Sequence, residues 1–354
     1  MDFETFKKEY RRHTFHKYLF ILLCLIFVVI MGAVSITIGA YDIDVWRVYE
    51  TIFEHITGVT HPPDSKEALD DVIVWYNRLP RVLLAVLAGV GLAISGVAMQ
   101  SLMKNPLAEP YTTGVSSGAY LGVAISMALG LSMFSGSFEI PGNAFLFALI
   151  PVALIVISSS RIGDSVATVI LMGTALSYLF NAVSTLILVS TDAETLSNVY
   201  KWQVGTIVSL SWEELRYVAA ITLGGSLLIL LLSKKLNVLA MGDNNAKSLG
   251  LNVNRLRMII LVVMAVIVAF IVSYTGIIGF IGLICPHIIR LVIGSDNRFV
   301  IPAACAFGGA FLLFADTLAK YMSSLDTIPV GAVCSLIGAP IFLIILIHNR
   351  RGIW

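Results

Sequence analysis

A few short clusters hold the residues with chemistry to offer. Gly114-Val115-Ser116-Ser117-Gly118 matches G-x-S-x-G, and with His287 it would supply the nucleophile and base of a serine hydrolase. That chemistry needs a strained strand-to-helix turn, whereas the residues after Gly114 open a long apolar run. Close packing by glycines and local bonding by serines is therefore the expected role. Lys247-Ser248 is the one lysine followed by serine or threonine, but Ala246 stands where a phosphate-cradling loop carries glycine. His287, in Cys285-Pro286-His287, is a lone histidine beside a helix-bending proline, which favours a packed side chain over a haem or metal ligand. Asp316 and Lys320 fall toward one end of an apolar run and Arg290 toward the end of another. With no acidic relay at mid-run depth, proton or sodium coupling is disfavoured. Neither an H-E-x-x-H motif nor a carboxylate pair occurs, and no metal site or cofactor is expected.

The elements that carry these residues follow from composition. Of 354 residues, 58% are hydrophobic and 13% charged, with mean hydropathy +0.90 and net charge +1. A soluble domain carries about 25% charged residues, so lipid must be the main solvent here. Apolar runs recur without a composition break, which predicts one membrane bundle over 1–354. Runs long enough to cross a hydrocarbon core of about 30 Å lie near 17–39, 79–103, 112–134, 143–160, 166–190, 215–233, 256–275, 277–294, 299–320 and 328–347. The count is ten, or nine if Gly276, Gly279 and Gly282 mark a bend within one element.

Most of the 23 lysines and arginines, among them Lys7, Lys104, Arg161, Lys247, Arg257, Arg350 and Arg351, fall on the side of the N-terminus, which makes that side and both termini cytoplasmic. A tail over 1–16 and a connection over 236–257 share that side. Polar segments over 40–77 and 191–214 lie outside, the second with Trp202 and Trp212 suited to a membrane interface. Gly114, Gly118 and Gly122 share one helix face, and Gly89, Gly91 and Gly96 crowd another, as tight helix packing in lipid requires. Cys24, Cys285, Cys305 and Cys334 sit in apolar runs and read as buried thiols.

Longer motifs recur in a fixed order. They are Arg78-Leu79-Pro80-Arg81, Gly96-Val97-Ala98-Met99-Gln100, Asn105-Pro106-Leu107-Ala108-Glu109-Pro110, Gly276-Ile277-Ile278-Gly279-Phe280-Ile281-Gly282-Leu283 with Pro286-His287, Ile328-Pro329-Val330-Gly331, and Gly338-Ala339-Pro340. Over roughly 75–350 the chain resembles the permeases of ABC importers for iron-siderophores, haem and cobalamin. The resemblance implies an all-α homodimer of ten-helix subunits in a prokaryotic cell membrane, two cytoplasmic ATPase subunits and an external binding protein, with no nucleic-acid partner. It implies a coupling helix over Met241, Gly242, Asn245, Ala246, Lys247, Leu249, Gly250 and Leu251, started by Asn244 or Asn245 and stopped by Gly250. It also implies docking cations at Arg78 and at Lys320, where arginine is common, and a cytoplasmic gate at Asn105, Pro106 and Leu107 with Val166 and Ala167. The expected cargo is a ferric siderophore, with haem or cobalamin as alternatives. A self-contained carrier or channel is the reading from another class.

Overall fold

The computed structural model describes residues 3–39, 41–162, 165–322 and 328–348, and no strand occurs among them. Arg350 and Arg351, counted above with the inner side, lie outside the described residues, as does the Arg161 side chain. The chain opens with α1 (Phe3–Thr37), then α2 (Val45–Thr57) and α3 (Lys66–Ile73), which passes through a π turn at Val74–Arg78 into α4 (Leu79–Met103). Next come α5 (Val115–Leu129), α6 (Glu139–Ile162), α7 (Val166–Val189), α8 (Ala193–Val204) and α9 (Trp212–Leu231). After α9 lie α10 (Ser233–Ala240), α11 (Asp243–Ser248), α12 (Val253–Thr275), α13 (Ile281–Ile293), α14 (Asn297–Met322) and α15 (Val330–His348).

Among the described residues, seven helices are long and apolar enough to cross a membrane, and α5, α13 and α15 are shorter apolar helices. The expected span over 112–134 is trimmed to α5 because Gly114 and Gly130, both at positive φ, end it on either side. The uncertain junction near 275–278 is two elements. Gly276 and Phe280 take positive φ, and five irregular residues separate α12 from α13. At the N-terminus the helix starts at Phe3, inside the expected tail, because a span already nucleated extends cheaply through residues such as Lys7 and Glu9.

Helices α4, α12 and α14 form the centre, while α1 and α7 keep most of their apolar surface exposed. In lipid there is little hydrophobic drive between helices, so close approach is made by small residues. Gly96 of α4 lies against the Gly282 carbonyl of α13, and Gly89 against that of Gly308 in α14. On α5, Gly118 and Gly122 lie against the carbonyls of Phe147 and Asn143 in α6, while Gly114, just before the helix, lies beside Pro151 and Gly173.

Irregular backbone at membrane depth has its polar groups satisfied by other segments. Thr206 N donates to Thr275 O at 2.8 Å, Gly331 N to Gly205 O at 3.1 Å, and Tyr111 OH to Ile278 O at 3.0 Å. Three chain segments thus cross where α8, α12 and α15 end or begin. The glycines Gly205, Gly276 and Gly331 are the contact points, each against another segment's carbonyl.

Candidate functional site: the two rims and the path between them

The rim of Arg78 and Lys320 is built from ion pairs that sew α1, α4 and α14 together. Asp316 is fully buried and lies 2.8 Å from Arg81 Nη2 and 3.3 Å from Lys320 Nζ. Lys320 also donates to Ser35 Oγ at 2.9 Å. The Arg78 guanidinium is buried and donates to the carbonyls of Ile36, Thr37 and Tyr41, capping the C-terminal end of α1. Both expected docking cations are therefore engaged within the protomer, whereas Lys66, Lys201 and Arg216 on the same side are exposed. Beside this rim His55 stacks on Trp75 at 4.1 Å and Trp75 meets Trp212 at 4.9 Å, joining α2 and the π turn to α9.

At the opposite rim α11 is a six-residue helix between two glycines of positive φ, Gly242 and Gly250. It starts at Asp243, a residue or two before the Asn244 or Asn245 expected to begin it, and Gly242 offers no side-chain cap. Gly250 follows Leu249 in the left-handed region, as a helix stop does. Ala246 is wholly buried toward the bundle, and Met241 and Leu249 are 63% and 68% exposed. Asn245 and Ser248 bond within the loop, to Met241 O at 2.8 Å and Asn244 O at 3.0 Å. A shallow groove of about 390 Å³ beside the helix is lined by Lys247, Gly250, Leu251, Asn252, Val253 and Asn254.

Lys104 ends α4 in the left-handed conformation, with Asn105, Pro106 and Leu107 directly after it. That segment is a compact turn: Leu107 N donates to Asn105 Oδ1 at 2.9 Å and Ala108 N to Asn105 O at 3.1 Å. Leu107 is exposed. The other expected gate residues, Val166 and Ala167, form the first turn of α7 behind the Ser165 cap, with Ala167 exposed. Helix α7 meets the loop from α4 farther along, where Gly173 lies against Thr112 O. Seven residues of helix, about 10 Å, separate that contact from Val166.

Asp243 receives Lys104 Nζ at 2.5 Å and Arg257 Nη2 at 3.0 Å. Burial by itself would raise its pKa, but the bonds from Lys104 and Arg257 win and hold the carboxyl below its usual value. The sign follows from linkage: a lowered pKa gives a contribution that is present above the ordinary carboxylate range and lost on acidification through the lowered value. The pairs are closed at neutral pH. Deeper on the same side, Arg290 Nη2 donates to Ser101 Oγ at 3.0 Å and Asn297 Oδ1 at 3.2 Å, fixing α13 to α4 and α14.

Two features escaped the sequence reading. The Asp243 pairs join residues far apart in sequence, and nothing local announces them. The second had a visible signal: Thr174, Tyr178, Asn181 and Thr185 repeat at helical spacing along α7, and all four are exposed. A polar stripe on a helix otherwise facing lipid suits a wet surface better than hydrocarbon. His287 is buried beside the Phe342 ring, with neither ring nitrogen hydrogen-bonded among the described residues. Ser116 of the G-x-S-x-G pattern lies in the first turn of α5, on a helix and not at a strand-to-helix elbow.

Long apolar helices, ion pairs at both rims and a short helix with exposed flanks at one rim describe a helical, multi-span membrane protein. The chain belongs to the FecCD transport family, whose profile matches residues 24–348. It is 37% identical over 282 residues to the hemin transport system permease HmuU of Yersinia pestis, covering 78% of this chain and 84% of the relative. It is 37% identical over 276 residues to the cobalamin import permease BtuC of Halobacterium salinarum, covering 78% and 73%. It is 34% identical over 335 residues to the iron(3+)-hydroxamate import permease FhuB of Bacillus subtilis, covering 94% and 82%. A solved structure assigned to the metal-chelate type of ABC transporter, in an inward-facing conformation, superposes with TM-score 0.81 at 29% identity and covers 93% of this chain and 98% of its own. The protein is therefore a multi-pass ABC permease of the cytoplasmic membrane.

Proposed function

We propose that the chain is the permease of an ATP-driven importer that carries a metal chelate from an extracytoplasmic binding protein to the cytoplasm. Ten crossings (the seven long spans plus α5, α13 and α15) form each subunit, with both termini cytoplasmic, and two copies pair. The polar stripe of α7 then lines the pathway. Asn105–Leu107 and Val166–Ala167 close it toward the cytoplasm with the second copy. A ferric siderophore is the cargo we favour. The relatives named for hemin and cobalamin support those chelates equally well, because a weakly binding pathway leaves recognition to the binding protein. Arg78 and Lys320 shape the docking rim by holding its backbone, and the exposed Lys66, Lys201 and Arg216 steer acidic residues of the binding protein toward it.

The observation that carries this reading is α11. Two large apolar side chains at its flanks, Met241 and Leu249, are exposed on the cytosolic side of a helix pinned at its buried Ala246. Exposed apolar side chains of this kind mark a partner surface, and the partner is the ATPase. Met241→Asp combined with Leu249→Asp should abolish co-purification with that subunit while the melting temperature of the permease stays at the parent value. Undiminished co-purification would overturn the assignment.

A further inference from the structure

Within α11 the side chains divide by where they reach. Asn245 and Ser248 bond inside the loop, and Ala246 is packed beneath it. Asp243 alone among these reaches two other elements, Lys104 at the end of α4 and Arg257 in α12. The flanking glycines Gly242 and Gly250 contribute no side chains that would carry force into the bundle.

We propose that Asp243 is the positioning residue through which displacement of α11 reaches the Asn105–Leu107 segment, its two oxygens gripping the end of α4 and the first turns of α12 together. This rests on α11 being the surface that meets the ATPase. Lys104 and Asn105 are consecutive, and the turn after them is closed by two hydrogen bonds, so a pull on Lys104 moves that turn as one piece. Arg257 is 1% exposed and makes further contacts, so its end of the link is anchored in the bundle. Lys104 and Asp243 are each about one-third exposed. A pair so placed adds little to stability. Its value lies in fixing one loop relative to another. The two oxygens of one carboxylate also set a geometry that a backbone hinge between glycines cannot.

The test uses the assembled importer in liposomes: permease, its ATPase and its binding protein, with cargo uptake counted per ATP hydrolysed. Asp243→Ala and Lys104→Ala should each lower that ratio by about tenfold, a coupling free energy of ordinary size. The double variant should be no worse than either single one, and Asp243→Glu should recover most of the ratio. In parallel, a spin label at Leu107→Cys should change its spectrum on nucleotide binding, and Asp243→Ala should remove that change while ATP hydrolysis continues. An uptake ratio within about twofold of the parent in Asp243→Ala, less than the smallest usual coupling effect, would overturn the proposal. So would loss of uptake only in step with loss of the ATPase or of folding, or failure of Asp243→Glu to rescue. The Met241→Asp, Leu249→Asp protein separates the two readings. If it still binds and couples to the ATPase, the assignment of α11 fails. If it does not, while Asp243→Ala couples normally, only the role of Asp243 fails.

Discussion

A Gly96→Val protein is expected to be recovered in poor yield and to melt far below the parent, whereas Gly224→Ala should melt at or slightly above it. The two glycines differ in what a side chain would meet. At Gly96 the first added carbon is driven into the Gly282 carbonyl, with that residue's own backbone immediately behind it. Helix α4 is at the centre of the bundle, so the clash cannot be relieved by moving a flexible side chain, and α13 must separate from it. Overpacking a core commonly costs about 1–3 kcal/mol, and more where backbone must shift. At Gly224, on the exposed face of α9, nothing lies within 4 Å of the new carbon. There alanine adds only helix propensity, up to about 1 kcal/mol in its favour. Thermal melting of the purified proteins in one detergent compares them. Equal melting of Gly96→Val and parent would mean that α4 and α13 do not cross as described.

The second large effect concerns the buried carboxylate. Asp316→Ala leaves Arg81 and Lys320 facing one another without the charge that balances both, and should destabilise the protein by about 3–5 kcal/mol. Replacing all three by leucine should recover much of that loss, because desolvating the charges offsets much of what their pairing contributes. The network also fixes where α1 ends, through Ser35 and Lys320. The triple variant, which removes Lys320 itself, should therefore make the chain around Thr37 more open to protease than the parent. Equal melting of the Asp316→Ala and triple-leucine proteins would contradict this account of the rim.

Local patterning revealed the bundle itself. A charge content of half the soluble norm, recurring apolar runs and glycines at helical spacing are properties of single segments. Span ends were less legible where two glycines of positive φ cut a helix short, as at Gly114 and Gly130, because an apolar run continues past the point where its backbone turns. The motif glycines were visible as small residues for close packing, but their partners were not. Gly96 meets Gly282, and Gly276 meets the Trp202 carbonyl, between segments far apart in the sequence.

The same gap between type and partner explains the site. Arg78 and Lys320 could be read as cations at an outer rim, yet whether a cation faces a partner or its own chain is decided by tertiary contacts. Both turned inward, to the end of α1 and to Asp316. Asp243 looked like one polar residue in a polar loop, and only the fold brought Lys104 and Arg257 to it. The stripe on α7, by contrast, was there to be found at positions 174, 178, 181 and 185.

The most direct test of a permease worked by another subunit's ATP hydrolysis is uptake into sealed liposomes. Ferric hydroxamate, haemin and cobalamin would be offered in turn to vesicles holding the chain alone or the chain with its ATPase and binding protein. The complete assembly should concentrate one of these chelates inside only when ATP is supplied, and the chain alone should concentrate none. Accumulation against a gradient by the chain alone would contradict the account at its centre.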